Sequence, residues 1–285
     1  MKKYSFVVLT YNSQGTIDGC LNSIIEKTAK QNIETEIIVV DNASKDDSAD
    51  YVEKNFSDKG VKVIRNTKNS GFSGGVNIGL QAATGDYCVL LNPDASIETI
   101  DFSKVQETFD NNKVGILSGK IIWPGGRTQP SFGFFPTRAK LLSYYFKLAN
   151  IWPGGFLVHD NFWNHKYYQQ LSTVGWVSGC FMIIPKQVLA EVKYFDEEYF
   201  LYIEDTDLCY RISQKGYKIM VDPQIVISHL LQYSVKKDPL KNFHFEIESM
   251  IRFFRVHYNQ NVTGFMNRVY KLKKWRLDQK NKSSG

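Results

Sequence analysis

The stretch GDYCVLLNPDA, from Gly85 to Ala95, decides the fold. Its apolar run, Tyr87 to Leu91, lies between turn residues, which predicts a short strand buried on both faces near the centre of a mainly parallel sheet. Pro93 has no N–H to give to a neighbouring strand, so it ends this one. The carboxylate of Asp94 is therefore predicted just past the carboxyl end of a central strand, where open α/β sheets bind their ligands.

Two interpretations of Asp94 follow from this stretch alone. A carboxylate oxygen at this position suits a hard divalent cation that accompanies a nucleotide diphosphate. Alternatively, Asn92 to Ala95 is only a polar turn, with Asp94 capping the next helix. The segment by itself leaves both open.

The first part of the chain alternates strands and helices. The predicted elements are a strand at Ser5 to Thr10, a helix from near Thr16, a strand at Glu36 to Val40, a helix through Ala49 and Phe56, and a strand at Val61 to Ile64. This order is typical of right-handed βαβ units, and we expect a doubly wound, mainly parallel sheet.

Similar elements are predicted farther along the chain. They are a helix at Ile100 to Phe109, short strands at Val114 to Leu117 and Lys120 to Trp123, a strand at Cys180 to Ile184, a helix at Gln187 to Val192, a helix starting near Asp205, and two short strands at Lys218 to Val221 and Ile225 to Ser228. The last of these strands leads directly to His229.

A glycine-rich segment, NTKNSGFSGGVNIGL, runs from Asn66 to Leu80 between a strand and a helix. Such a turn at a helix N-terminus can cradle a phosphate or let a nucleotide lie close to the backbone. The same glycines can instead allow tight packing of the helix. The segment is neither a Walker loop nor a dinucleotide fingerprint.

The composition indicates a soluble globular protein. The chain has 285 residues, of which 43% are hydrophobic, with no apolar run long enough for a transmembrane helix. The N-terminus has a short apolar run and no cleavage site, so we interpret it as a first strand and expect a cytoplasmic protein. Cys20, Cys88, Cys180 and Cys209 are scattered, which predicts reduced core thiols.

Two segments keep alternative interpretations. Residues 124–171 are rich in proline, glycine and aromatic residues, typical of a variable lid, a saccharide platform or an ordinary core under a long loop. Arg268 to Lys282 carries seven basic residues and one acid among apolar ones. This pattern suits an anionic membrane surface or another polyanion, or else a frayed tail. We expect no nucleic-acid partner, because no recognition motif accompanies the charge.

Four polar residues are predicted to converge. Asp41, Asp94 and His229 each follow a strand of the expected sheet, and Asp205 stands near a helix start. Asp41 could accept a hydrogen bond from the imide N–H of a pyrimidine. Asp94 could bind Mg²⁺ or Mn²⁺, with His229 completing the shell, and Asp205 could take a proton from an attacking hydroxyl.

These motifs resemble the family-2 glycosyltransferases with the GT-A fold, and within them the bacterial rhamnosyltransferase-like group. The matching segments are VVLTYN (Val7 to Asn12), EIIVVDNAS (Glu36 to Ser44), NSGFSGGVNIGL (Asn69 to Leu80), LLNPDA (Leu90 to Ala95), WVSGCFMI (Trp176 to Ile183) and FDEEYFLYIEDTDLCYRI (Phe195 to Ile212).

The resemblance implies an inverting, metal-dependent transfer of a sugar from a nucleotide-diphospho-sugar, with Mg²⁺ or Mn²⁺ as cofactor. It implies Asp205 as the catalytic base, and Asp94 and His229 as metal ligands. The implied donor-binding residues are Thr10, Tyr11, Asn12, Asp41, Asn69, Gly71, Phe72, Gly75, Asn77 and Asn92. The implied acceptor-binding residues are Trp176, Ser178, Gly179 and Glu204.

The resemblance also implies a division of the chain. A GT-A domain would cover residues 1–232, with a nucleotide-sugar half at 1–119 and an acceptor half at 120–232. A helical, basic, amphipathic segment would follow at 233–285.

The sequence departs from the family pattern at two places. The first acid of the family's Asp-x-Asp motif is Asn92, which leaves Asp94 as the acidic ligand. After His229 the family often has glycine and serine, whereas this chain continues with Leu230, Leu231, Gln232, Tyr233 and Ser234.

The expected donor is dTDP-L-rhamnose, and the expected acceptor is a lipid-linked saccharide of bacterial cell-surface polysaccharide synthesis at the inner face of the plasma membrane. The alternatives are a UDP-hexose donor or a non-catalytic nucleotide-sugar-binding partner subunit. A sugar-1-phosphate nucleotidyltransferase is disfavoured because the loop YNSQG after the first strand has no basic residue. Pairing into a homodimer is left open.

Overall fold

The computed structural model describes residues 2–146, 165–230 and 239–283. Its strands are β1 (Tyr4–Thr10), β2 (Thr35–Asp41), β3 (Val61–Arg65), β4 (Tyr87–Leu91), β5 (Ala95–Thr99), β6 (Val114–Ile122), β7 (Phe132–Gly133), β8 (Ser172–Val174), β9 (Trp176–Val177), β10 (Phe181–Pro185) and β11 (Lys218–His229). Its α-helices are α1 (Ile17–Lys30), α2 (Ser48–Phe56), α3 (Gly71–Ala82), α4 (Phe102–Asn111), α5 (Arg138–Phe146), α6 (Lys186–Glu191), α7 (Glu204–Gln214), α8 (Pro239–Tyr258) and α9 (Thr263–Ser283).

The main sheet has the strand order β3-β2-β1-β4-β10-β6-β11-β5, and β8 also pairs with β11. Strands β3, β2, β1 and β4 are mutually parallel, and β11 is parallel to β6. Strand β10 runs antiparallel between β4 and β6, and β5 is antiparallel to β11. The predicted mainly parallel sheet is confirmed, with antiparallel strands that the sequence did not predict.

Helices cover both faces of this sheet, as a doubly wound fold requires. On one face α1, α2 and α4 bury residues such as Leu21, Val52 and Val105 against the inward side chains of β1, β2 and β4. On the other face α3, α6 and α7 bury residues such as Leu80 and Leu208. All five residues of β4 are buried, which fits a strand covered on both sides.

The directions of the paired strands bring several loops together at one edge of the sheet, where a binding site can form. The carboxyl ends of β1, β2, β4 and β11 meet at this edge because these strands run in the same direction. Strand β10 runs the opposite way and pairs Phe181 with Leu91, so its amino end lies at the same edge. The loops after Thr10, Asp41, Leu91 and His229, and the loop before Phe181, therefore open on one side.

Two pairs of predicted short strands are each one continuous strand. Strand β6 runs through Gly119, because the missing side chain there leaves room for Ile225 of the neighbouring strand. Strand β11 runs through Pro223, and its pairing with β6 shifts register between Asp222 and Val226. A bulge absorbs the residue that cannot donate to the ladder, so the sequence signals for a break were misleading.

The helix predicted at Ile100 to Phe109 is observed as α4, but Asp94 does not cap it. The residues after Asp94 form strand β5, which pairs with β11. Helix α4 starts later, and its N-cap is Asp101, whose carboxylate accepts hydrogen bonds from the N–H groups of Ser103 (3.0 Å) and Lys104 (3.4 Å). The capping interpretation of Asp94 is thereby excluded.

A buried carboxylate ties together the opposite edge of the sheet. Glu36 accepts hydrogen bonds from the hydroxyl of Ser5 (2.5 Å) and from the N–H (2.6 Å) and hydroxyl (2.7 Å) of Thr84. Burial tends to raise the pKa of Glu36, but the hydrogen bonds from Ser5 and Thr84 outweigh it and lower the pKa to about 2. This contact fixes β1 and β2 against the turn that precedes β4.

The C-terminal helices form a third core. Phe253 and Phe254 of α8 and Met266 of α9 are buried with Tyr199 and Leu141. The aromatic-rich segment has three alternative interpretations, a variable lid, a saccharide platform or an ordinary core under a long loop. Part of it, residues 147–164, lies outside the described residues, as do residues 231–238 after Leu230. The four cysteines are free and buried, as the sequence predicts.

Candidate functional site

Two buried side-chain oxygen atoms mark the ends of β1 and β2. Thr10 and Asp41 are register partners in these neighbouring strands. One carboxylate oxygen of Asp41, Oδ2, accepts a hydrogen bond from the N–H of Ser44 at 3.1 Å. The other, Oδ1, and the hydroxyl of Thr10 are buried and have no partner among the described residues. Such atoms are costly unless a ligand satisfies them.

The loop after β1 is fixed against the loop after β2. The N–H of Asn12 donates to the hydroxyl of Ser44 (2.9 Å), and its side-chain oxygen accepts from the N–H of Lys45 (2.7 Å). Asn12 adopts a left-handed backbone conformation, with φ of 55°. Tyr11 stays 43% exposed beside it. An exposed aromatic residue therefore directly follows Thr10 in the chain.

Asn42, which the sequence did not single out, links the Asp41 loop to the glycine-rich segment. Its side-chain nitrogen donates to the side chain of Asn69 (3.2 Å) and to the carbonyl of Gly71 (2.9 Å). Its side-chain oxygen accepts from Asn66 (3.1 Å) and from the N–H of Ser70 (3.1 Å). Asn42 is almost fully buried, so it serves as a rigid connector for these loops.

The glycines of this segment are used for packing. Gly71 has a φ of +76°, and a Cβ there would lie 2.3 Å from the carbonyl oxygen of Phe200. A Cβ at Gly75 would lie 2.5 Å from a methyl group of Leu9. The N–H of Phe72 donates to the carbonyl of Phe200 at 2.8 Å. These contacts support the packing interpretation of the glycines, and a contact of Gly71, Phe72 or Gly75 with a nucleotide stays a prediction.

Asn77 is a buried anchor between α3 and the segment that leads to α7. Its side chain exchanges two hydrogen bonds with the backbone of Phe195, at 3.0 and 3.1 Å, and donates to Glu197 at 2.9 Å. The polar atoms of the Asn77 side chain therefore form hydrogen bonds with protein groups. Its contact with the nucleotide-sugar donor stays a prediction.

Asp94 and His229 are brought together after β4 and β11. The Nε2 atom of His229 lies 3.1 Å from Oδ1 of Asp94, and the N–H of Leu230 donates to the Asp94 carbonyl at 3.0 Å. Both side chains are largely buried. The N–H of Asn92 donates to the carbonyl of Cys180 at 3.0 Å, which holds the turn against β10.

The pair fits part of a metal site. In a six-coordinate ion with bonds of about 2.1 Å, neighbouring ligands lie about 3.0 Å apart, close to the 3.1 Å between Nε2 and Oδ1. A carboxylate and an imidazole suit Mn²⁺ and related ions. Within the described ranges no third His, Cys, Asp or Glu joins them, so other ligands would have to complete the shell.

Asp205 is held at the first turn of α7. Its Oδ2 accepts a hydrogen bond from the N–H of Gly179 (3.2 Å), and its Oδ1 accepts one from the N–H of Thr206 (2.6 Å). A Cβ at Gly179 would lie 3.0 Å from the ring of Phe72. The loop before β10 therefore connects the Asp205 side chain with α3, and through Cys180 with the Asn92–Asp94 turn.

Glu204 and Asp205 are adjacent acids in different environments. Burial raises the pKa of Glu204 well above its usual range, and the charge of Asp205 raises it further. Its Oε2 is buried without a partner among the described residues. Burial also raises the pKa of Asp205, but the hydrogen bonds from Gly179 and Thr206 counteract this. The hydrogen bonds from Gly179 and Thr206 favour the ionised form of Asp205, which is the form that a general base needs.

The turn before α7 is strained. Tyr202 and Ile203 both have positive φ values, 68° and 66°, in a region that such side chains rarely adopt. Helix α8 supports this turn: the hydroxyl of Ser249 donates to the carbonyl of Leu201 (3.1 Å), and Arg252 donates to Asp196 (2.7 Å). Packing from outside the sheet thus maintains the backbone that presents Asp205.

Asp207 connects α7 to α8, a feature that the sequence did not reveal. Its carboxylate is 1% exposed and accepts hydrogen bonds from Nε of Arg211 (2.8 Å) and Nε2 of His257 (2.6 Å). Burial tends to raise the pKa of Asp207, but the hydrogen bond from His257 and the charge of Arg211 outweigh it, so the pKa is lowered.

The remaining predicted acceptor residues lie on β9 and the loop that follows. Trp176 is half-buried and packs over Gly133 of β7, where a Cβ would lie 2.8 Å from the indole nitrogen. The N–H of Ser178 donates to the carbonyl of Ser131 at 2.7 Å, and the Ser178 hydroxyl accepts from the N–H of Cys180 at 3.3 Å. These contacts fix the loop that carries Gly179 next to Asp205.

The family follows from comparison with known proteins. The model of glycosyl transferase family 2 matches residues 5–168, which is more than half of the chain. The chain belongs to this family, and it is a glycosyltransferase, as the sequence predicted.

The chain is also similar in sequence to individual glycosyltransferases. The chain is 24% identical to an N-acetylglucosaminyl-diphospho-decaprenol L-rhamnosyltransferase of Mycobacterium tuberculosis, over 82% of this chain and 78% of that protein. It is 30% identical to the poly(ribitol-phosphate) beta-N-acetylglucosaminyltransferase TarS of Staphylococcus aureus, over 48% of this chain and 24% of that protein.

Solved structures confirm the GT-A fold. The mannosyltransferase PcManGT of Pyrobaculum calidifontis, in complex with GDP-Man and Mn²⁺, matches with a TM-score of 0.62 at 17% identity, covering 94% of this chain and 68% of that one. S. aureus TarS 1–349 in complex with UDP-GlcNAc matches with a TM-score of 0.59 at 20% identity, covering 94% and 70%.

Proposed function

We propose that this chain is an inverting, metal-dependent transferase that moves L-rhamnose from dTDP-L-rhamnose to a lipid-linked saccharide in bacterial cell-surface polysaccharide synthesis. The observation that carries the proposal is the pair of buried oxygens of Thr10 and Asp41, which have no hydrogen-bond partner in the described part of the chain. They lie at the sheet edge where Asp94 follows β4, and Gly179 in the loop before β10 connects Asp205 to the same edge. The similarity to a mycobacterial L-rhamnosyltransferase supports the choice of donor.

The Asp41 oxygens suit a pyrimidine base. The N–H of Ser44 holds Oδ2, which leaves Oδ1 to accept a hydrogen bond from the imide N–H that thymine and uracil share. The exposed ring of Tyr11 can lie against the base. A UDP-hexose is the second candidate, because TarS, a structural neighbour, was solved with UDP-GlcNAc.

Asp205 supplies the proton transfer. Its carboxylate is oriented by Gly179 and Thr206, and it takes the proton from the acceptor hydroxyl as that oxygen attacks the anomeric carbon. The nucleotide diphosphate leaves from the opposite side of the sugar, so one displacement inverts the configuration. Asp94 and His229 would hold the metal ion, which stabilises the charge on the leaving diphosphate when bound.

A donor screen tests the proposal. Thermal unfolding is followed with dTDP-rhamnose, UDP-glucose and GDP-mannose, each with and without Mn²⁺. A ligand at a hundredfold its Kd stabilises by about 2.7 kcal/mol, which raises the Tm of a protein of this size by roughly 5–10 °C. We expect this rise with the two pyrimidine nucleotides and not with the guanine nucleotide. A chain that responds to no nucleotide overturns the proposal.

The variant Asp41→Asn tests whether Asp41 binds the pyrimidine base. The Asn oxygen will accept from the N–H of Ser44 and turn its NH₂ group toward the base, where it meets another donor. We expect pyrimidine nucleotide affinity to fall by roughly tenfold to a hundredfold, the effect of losing a hydrogen bond to a charged group. Asp47→Asn, an exposed acid after the same strand, is the matched control. Equal affinities of the two variants would reject the assignment of Asp41.

We also propose peripheral contact with an anionic membrane through α9. The structure favours a helix over a frayed tail here, since α9 continues from Thr263 to Ser283. Leu272 and Trp275 are 50% and 59% exposed, one turn apart, beside the exposed Lys271 and Lys274. No helix in the described part of the chain is apolar and long enough to cross a bilayer. Exposed apolar and basic side chains together suit a surface-bound helix.

Vesicle co-sedimentation tests this contact. We expect binding to phosphatidylcholine vesicles that contain phosphatidylglycerol, and little binding to phosphatidylcholine alone. The double change Lys271→Gln and Lys274→Gln should weaken binding by roughly tenfold or more, at about 1 kcal/mol for each basic residue. Leu142→Ala, at another exposed apolar residue, is the control. Equal binding to both kinds of vesicle would contradict the proposed role of charge.

A further inference from the structure

Gln129 contacts the far side of the His229 ring. Its Oε1 atom lies 3.1 Å from Nδ1 of His229, while Nε2 of the same ring faces Asp94. The Gln129 residue is 9% exposed. Each nitrogen atom of the imidazole thus faces a side chain from a distant part of the chain.

The backbone of Gln129 is fixed by a hairpin after β6. Its N–H donates to the carbonyl of Ile121 at 2.8 Å. The hairpin turn is closed by a hydrogen bond from the N–H of Trp123 to the carbonyl of Arg127 (2.8 Å), with Gly125 and Gly126 at positive φ. A side chain on such a rigid base has little freedom to leave the histidine.

The amide oxygen of Gln129 determines which nitrogen atom of the His229 ring carries the proton. Oε1 can only accept a hydrogen bond, so Nδ1 of His229 must carry the proton. A neutral ring then has its lone pair on Nε2, directed toward Asp94. Two acceptors 3.1 Å apart repel each other unless they share a proton or a metal ion. Asp94 and His229 would satisfy each other by holding a divalent metal ion together.

We propose that Gln129 is a positioning residue, which fixes His229 in the tautomer whose Nε2 is ready to bind the metal ion together with Asp94. The proposal rests on the metal site of the proposed function. Partners that accept the second N–H of a metal-binding histidine typically contribute tenfold to a hundredfold to metal affinity. Gln129 acts through the histidine and needs no contact with the substrate.

Two substitutions of Gln129 distinguish the effect of its hydrogen bond to His229 from the effect of its side-chain shape. Gln129→Met keeps an unbranched side chain of similar length and removes the acceptor. Gln129→Glu keeps an acceptor for the Nδ1 proton. Gln187→Met, at an exposed glutamine, is the matched control, and Asp94→Asn removes a proposed ligand.

The first measurement is the affinity of the whole protein for Mn²⁺, from the electron paramagnetic resonance signal of the free ion, with UDP present. We expect Gln129→Met to weaken Mn²⁺ binding by about tenfold to a hundredfold. Gln129→Glu should stay close to the wild type, and Gln187→Met should be unchanged. Equal affinity of the wild type and Gln129→Met overturns the role of Gln129.

The second measurement needs no metal ion. The nitrogen chemical shifts of His229, assigned through the His229→Asn variant, report which ring nitrogen carries the proton. We expect an Nδ1–H signature in the wild type and its loss in Gln129→Met. An Nε2–H signature in the wild type would overturn the inference even if Mn²⁺ binds. A wild type that binds UDP and no Mn²⁺ would instead reject the metal dependence in the proposed function.

Discussion

Asp205→Asn is expected to abolish sugar transfer and to leave donor binding nearly unchanged. The amide keeps one oxygen, which can still accept the shorter hydrogen bond from Thr206 (2.6 Å), and it loses the longer one from Gly179 (3.2 Å). Because its shape matches that of the carboxylate, the local structure should persist. The amide cannot take a proton from the acceptor hydroxyl, and general-base catalysis contributes about 10²–10⁴-fold to the rate. Product formation and the donor Kd are measured side by side, which separates a lost base from a damaged pocket.

The control for this variant is Glu198→Gln, an exposed acid in the segment that leads to α7. Its transfer rate should match the wild type. The pH dependence adds a second check: because the pKa of Asp205 is raised, activity should rise with pH through a value above that of an ordinary aspartate, about 3.9. Transfer by Asp205→Asn within tenfold of the wild-type rate would reject the base assignment.

The second large effect is expected on stability, from His257→Leu. The change leaves the buried Asp207 carboxylate without one of its two partners. Arg211 still pairs with Asp207, so the expected cost is that of leaving one buried carboxylate oxygen without its hydrogen-bond donor, about 1.5–3 kcal/mol. For a protein of this size that corresponds to a decrease in Tm of roughly 3–12 °C. Urea unfolding monitored by circular dichroism gives the free energy of unfolding directly.

Helix α8 contains a second histidine that serves as the control for His257→Leu. His244 lies 3.2 Å from Glu248 in an exposed pair, with side chains 50% and 60% exposed. His244→Leu should therefore change the free energy of unfolding by less than about 1 kcal/mol. If the two variants lose equal stability, the Asp207–His257 contact is not the connection that the structure indicates.

The pH dependence of this contact follows from the lowered pKa of Asp207. A carboxylate whose folded pKa is depressed contributes its stability in full above the unfolded pKa, about 3.9, and loses it as pH falls through the folded pKa. The difference in stability between the wild type and Asp207→Asn should therefore be constant near neutral pH and should narrow in acid.

The sequence predicted the first part of the fold well. The runs that form β1, β2 and β4 are apolar and bounded by turn residues, and the helices between them have clear apolar faces. Strand β5 was missed because ASIET is largely polar and only Ala95 and Ile97 are buried. Its partner, β11, lies far along the chain, so no local pattern indicates the pairing.

The residues of the candidate site also divide into those that the sequence indicated and those that it did not. Asp41, Asp94 and Asp205 are acids directly after strands or at a helix start, so their positions carried a signal. Gln129 carried none, because a single glutamine in an irregular segment is usually a surface residue. The contact of Asp207 with His257 joins residues of two helices that no short motif links. Asn42 adjoins Asp41 in sequence, and its buried position after β2 could have suggested its role.

The burial of all four cysteines has a practical consequence. A thiol introduced by Leu272→Cys on the exposed face of α9 would react with a fluorescent maleimide while the native thiols stay protected by the fold. Quenching of the dye by brominated acyl chains would then show whether this helix enters a bilayer. The proposed contact of the enzyme with a lipid surface can in this way be followed during turnover without altering Cys180, which adjoins the Gly179 amide that holds Asp205.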